Sequence, residues 1–213
     1  MIANLAKKHV PTPHSRKIFY GIIIFYLLYL LYVSIASFRG VFDDLTLPPK
    51  IVQLTTFPLA LFLMGVVYNL RFYKRILKVV PIEQLIVLHR FRLIGSFFIV
   101  LLILQQLPPF FALIAGIGDI ITALSSVWIA KNLEDTRKYA RTFAIAWNTF
   151  GLVDILFTSV TAIILTKLTI DTGVQGVEVL ASFPFCFIPA FAPATIIFLH
   201  LSIYRKLFVK KFS

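Results

Sequence analysis

The feature that most constrains this chain is a succession of six apolar runs, each near the length needed to cross a bilayer, separated by clusters of charge, proline and glycine. A helix needs about 20 mainly apolar residues to span the hydrocarbon. On that measure spans are expected at about 18–38, 55–72, 84–107, 110–130, 142–166 and 183–204. Arg39-Gly40 and the Asp43 to Pro49 stretch close the first, and the basic stretch RFYKRILK from Arg71 to Lys78 follows the second. Leu107-Pro108-Pro109 turns the chain between the third and fourth, and KNLEDTRKYAR separates the fourth from the fifth. The third span is short if only the uncharged run Leu93 to Leu107 is counted, so the helix is expected to start earlier. It then carries His89, Arg90 and Arg92 on its inner turns, with the arginine stems reaching toward the headgroups. The expected fold is an all-α polytopic transmembrane bundle forming a single domain over residues 1–213.

Composition agrees. With 59% hydrophobic and 14% charged residues, the chain lacks the polar surface that a water-soluble fold of this size requires. The net charge of +12 does not point to nucleic acid, because no basic stripe on a polar folded segment accompanies it. Basic residues beside apolar spans instead meet anionic headgroups. Counted on alternate sides of six spans, 18 Lys and Arg fall on the side of the two termini and three, Arg39, Lys50 and Lys167, on the other. That asymmetry would collapse if a middle span were added or removed, and it implies cytoplasmic termini. The first apolar run followed by Ser34-Ile35-Ala36 superficially matches a secretory signal, but it is too long for a signal core. Cys186 is the sole cysteine, which leaves no intramolecular disulfide or cysteine-based metal cluster; it reads as a small buried apolar residue. No metal or cofactor is expected from the remaining pattern.

Two acids lie within spans, Asp119 in the fourth and Asp154 in the fifth, both near the midplane. Acids are costly there and normally face the bundle interior, where they mark functional sites. Ala112, Ala115, Gly116, Asp119, Thr122, Ala123 and Ser126 recur at helical spacing, as do Trp147, Gly151, Asp154, Thr158 and Thr161. These small stripes on two antiparallel neighbours place Asp119 and Asp154 within reach of each other. One of two apposed carboxyls is then expected to hold a proton, which it can exchange for a cation. Asn148, Thr122 and Thr158 are candidate neutral ligands, or hydrogen-bond partners if the acids serve only as packing glue. Pro189 and Pro193 are expected to kink or break the last span and leave irregular backbone beside a cavity. The sequence thus points to a small proton- or ion-coupled transporter or channel; the competing reading is a noncatalytic membrane subunit, in which the stripes serve helix packing or contacts between copies. No catalytic residue is assigned.

The stretch Gly116-Ile117-Gly118-Asp119 resembles the G-x-G-D motif of intramembrane aspartyl proteases over four residues. In that family the partner aspartate precedes the motif, whereas Asp154 follows it, and PAFAPA is only loosely like the family's proline-alanine-leucine element. The two acids also sit in an echo, GIGDII and GLVDIL, compatible with an old duplication or with chance in an Ile- and Leu-rich chain. His89 and His200 share a depth near the inner ends of their spans and are candidates for axial haem ligands, or for histidines bonded to headgroups and carbonyls. From about Arg90 to Tyr204, LPPFFALIAGIGDI, WNTFGLVD and IPAFAPATIIFLHL resemble a kind of small bacterial polytopic membrane protein without an assigned activity. That resemblance implies an inner-membrane setting and no catalytic residue.

Overall fold

The computed structural model describes residues 12–208. Among the described residues the chain forms seven helices and no strand. We number them α1 (Thr12–Phe38), α2 (Val52–Asn69), α3 (Arg71–Val79), α4 (Ile82–Ile103), α5 (Pro109–Glu134), α6 (Ala140–Thr172) and α7 (Phe187–Phe208). All but α3 are long and apolar enough to cross a membrane. Lys7, Lys8, Lys210 and Lys211 of the charge count lie outside the described residues.

The short α3 carries the RFYKRILK stretch as an amphipathic helix. Leu77 and the following Val80 are buried, while Arg71, Arg75 and Lys78 are exposed. Its last carbonyls are not left to solvent, since Lys206 of α7 donates its ammonium to Leu77 O, at 2.7 Å, and to Val80 O. The two proline-rich turns, Pro48-Pro49 and Pro108-Pro109, each precede a helix, with Pro109 at the first helical position of α5 where no N–H partner is needed.

The interior is built by α4, α5, α6 and α7, which pack consecutively. One core cluster joins Leu101, Phe111, Ala115, Ile155 and Ile196; a second, nearer α3, joins Ile86, Ile129, Ala144, Trp147 and Ile203. By contrast α1 touches the rest through its second half, where Val33 and Ala36 pack with Phe42, Ile51, Cys186 and Ala190. Cys186 is fully buried there, as a small apolar residue would be.

The structure revises the expected geometry of two helices. The last span is helical without interruption from Phe187, so the prolines do not break it. Pro189 sits in its first turn, where it costs no helix bond, and Pro193 deprives only Pro189 O of a donor. That carbonyl accepts the Thr56 hydroxyl of α2 at 2.7 Å, and the adjacent Ala190 O accepts the Tyr29 hydroxyl of α1 at 2.9 Å. Neighbouring side chains thus supply what the membrane cannot. The irregular backbone lies elsewhere. Within α2, Val52–Thr56 and Leu61–Val66 are π-helical, and within α4, His89–Gly95 is wound as a 3₁₀ helix.

That 3₁₀ stretch corrects the placement of Arg92. With three residues per turn, positions i and i+3 eclipse each other. His89, Arg92 and Gly95 are accordingly all buried, and Ile86, Phe98 and Leu101 of the flanking α-helical turns continue the spacing of three. Arg92 therefore does not snorkel to the headgroups: its side chain is 0% exposed, at the centre of the bundle, while Arg90 is exposed on the other face.

Candidate functional site: a buried arginine between two carboxylates

Arg92 occupies the space between the two midspan acids. Its Nε donates to Asp119 Oδ1 at 2.6 Å, and its Nη2 donates to Asp154 Oδ2. The third nitrogen, Nη1, donates to Gly151 O at 3.1 Å and lies 3.5 Å from His200 Nε2. One guanidinium from α4 thereby ties together α5, α6 and α7. The planar fork suits this task, since its donors leave in fixed directions that can reach several acceptors at once.

Asn148 sets the orientation of His200. The amide Nδ2 donates to His200 O at 3.2 Å, so Oδ1 is the acceptor that faces His200 Nδ1 at 2.8 Å. His200 therefore carries its proton on Nδ1 and turns the Nε2 lone pair toward the Arg92 donor. Beyond it, the His89 ring lies 4.3 Å from the His200 ring, centroid to centroid, and edge-on to Trp147 at 5.2 Å. Both His89 nitrogens are buried with no hydrogen-bond partner. Rings this close leave no room for a porphyrin plane between them, which removes the axial-ligand reading. Neither histidine sits at a headgroup interface.

Three glycines make the cluster fit. A Cβ on Gly118 would coincide with the Asp154 carboxylate, and one on Gly95 would run into the Asp119 side chain. A Cβ on Gly151 would stand 2.7 Å from His200 Cε1 and 3.0 Å from Thr122 Cγ2. The glycines of the GIGD stretch are thus explained by close approach: Gly118 receives Asp154, and Gly116 receives Ile99 of α4 at 2.7 Å from its would-be Cβ. The echo between the two acidic sequences does not extend to their surroundings, because Gly151 admits a ring from α7 whereas Gly116 admits an aliphatic chain from α4.

The candidate residues divide accordingly. Asp119, Asp154 and Asn148 converge on the Arg92–His200 pair. Thr122 is fully buried beside Gly151, but its hydroxyl donates back to Gly118 O at 2.9 Å and not to an acid. Thr158 faces a cavity of about 60 Å³ that it lines together with Asp119, Ser159, Pro189 and Pro193. The acids do not bond to each other or to these neutral groups; the guanidinium between them takes that place. This also separates the site from an aspartyl-protease pair, in which two carboxyls face each other and share a proton. Sequence reasoning missed Arg92 as a site residue, and it is the period-three burial of α4 in the structure that reveals it.

Charge in the cluster does not cancel. Arginine stays protonated, so one positive group faces two acids, and with both ionised one negative charge remains. An uncompensated charge in a dry interior costs several kcal/mol, about the range found when a buried pair is broken. A proton or a monovalent cation balances it. At the end of the bundle opposite α3, a cavity of about 320 Å³ opens among the 42–51 and 177–182 segments. Asp43, Asp44 and Glu178 line it, and it shares Ala162, Leu180 and Pro189 with the small cavity at Asp119.

Fold and site together define a multi-pass integral membrane protein with an ionised side chain at its core. The chain belongs to the family described as a domain of unknown function, DUF8737, whose model matches residues 49–208 and therefore takes in every residue of the cluster. Neither a curated protein nor a solved structure matches the chain.

Proposed function

We propose that this protein is a small proton- or cation-coupled transporter or channel of a bacterial inner membrane, with both termini cytoplasmic, whose coupling site is the Arg92–Asp119–Asp154 cluster. The observation that carries this reading is the unequal charge of the cluster: two acids and one arginine accept one further positive charge. The acid-lined cavity at the far end supplies a route by which that charge arrives at Asp119 from outside, and Thr158 stands beside it as a neutral ligand. Loading the site changes the load on Arg92, which is bonded to three helices, so occupancy is coupled to helix packing. The basic face of α3 fits anionic headgroups at the cytoplasmic surface.

The test is proton and monovalent-cation flux in liposomes. Wild type is expected to conduct or exchange above protein-free background, and Asp119→Asn and Asp154→Asn are each expected to reduce the rate at least about tenfold, the factor for 1.4 kcal/mol. Equal flux for all three at background would end the transport reading and leave the cluster as a tie among helices.

A further inference from the structure

A cavity near the α3 end has no part in the site above. It is a groove of about 530 Å³ in the half of the bundle beside α3, bounded by α1, α2, α3, α4 and α7. Gly21, Phe25, Phe62, Tyr73, Leu88 and Phe198 represent its walls, and none of its lining residues is charged. Of its two tyrosines, Tyr26 and Tyr73, the second already bonds Ser202 Oγ at 2.5 Å. The groove runs beside Gly21 of α1, which has nothing within 4 Å of where a Cβ would stand.

Charge decides the occupant, because the slot itself is uncharged and suits a hydrocarbon chain. Lys17 stands exposed one turn before the lining residue Gly21, Arg71 is exposed and lies in sequence between the lining residues Leu70 and Phe72, and Lys74 follows the lining residue Tyr73. Three cations at the headgroup level of an apolar slot fit a negatively charged lipid better than a zwitterionic one. We propose that the groove is a binding site for one anionic phospholipid, with an acyl chain between α1 and α4 and its headgroup held by Lys17, Arg71 and Lys74.

Native mass spectrometry of the full chain, after reconstitution in equal parts phosphatidylglycerol and phosphatidylcholine and mild detergent extraction, tests this. Wild type is expected to retain one phospholipid, with phosphatidylglycerol enriched more than about fivefold, the factor for a single cation near a charged headgroup. Gly21→Phe points a ring into open space and is expected to lose the lipid while remaining monodisperse. The combined Lys17→Gln, Arg71→Gln, Lys74→Gln variant leaves the groove intact and is expected to retain a lipid with the enrichment abolished. Retention by Gly21→Phe at the wild-type level, absence of enrichment in wild type, or unchanged enrichment in the triple variant would each overturn the proposal.

Discussion

At the scale of single residues, the charged centre depends on side chains that are absent. Asp154 reaches Arg92 only because position 118 has no Cβ, and His200 reaches it only because position 151 has none. Gly118→Ala must displace the Asp154 carboxylate and strand part of a buried charged network. We expect it to destabilise the protein by about 3–5 kcal/mol, the cost of breaking a buried pair. Gly65→Ala is the control, since nothing lies within 4 Å of its would-be Cβ. It should stay within about 0.5 kcal/mol of wild type. Thermal and denaturant unfolding of the detergent-solubilised variants compares the two, and equal losses would show that the glycines act through the backbone alone. The inward placement of Asp119 and Asp154 was legible because midspan acids are rare and costly toward lipid. Their partner was not, because Arg92 and His89 lie in a stretch whose basic residues invite an interfacial placement.

At the scale of helices, the same contrast recurs. The prolines of α7 advertise irregularity, yet that helix is continuous, and the departures from α geometry lie in α2, on either side of its own Pro58, and in α4, which has no proline. The physical reason is that a proline disables one bond at a known position, which a neighbour can repair, whereas winding a 3₁₀ segment follows from what its side chains must reach across the bundle. Here the repair is the Thr56 hydroxyl on Pro189 O. Thr56→Val should cost about 1–3 kcal/mol, the penalty for a buried carbonyl left unsatisfied. In a Pro193→Ala background the N–H of residue 193 takes over that carbonyl, and the cost of Thr56→Val should fall by at least about 1 kcal/mol. A double-mutant cycle on unfolding free energies measures the coupling; additivity would mean that Thr56 contributes packing only.

For the whole molecule, the six-span architecture was readable because length and hydropathy alone decide it, and the charge distribution along the spans gains a spatial form. With Arg92 withdrawn to the interior, most of the remaining described cations gather at one end, on the exposed face of α3, the 131–141 turn and the end of α7, where Arg141 bonds Leu207 O and Lys206 caps α3, while Arg39, Lys50 and Lys167 lie at the other. At the opposite end stand Asp43, Asp44 and Glu178 around the larger cavity. Basic loops resist translocation, so the α3 end should face the cytoplasm and the acidic cavity the outside. In a Cys186→Ser background, single cysteines at Thr46 and at Glu134 report each end. An impermeant maleimide added to intact cells should label Thr46→Cys and spare Glu134→Cys, with both labelled after lysis. The reverse pattern would invert the protein in the membrane and place the cavity leading to Asp119 on the cytoplasmic side, so that the coupling ion would load from within.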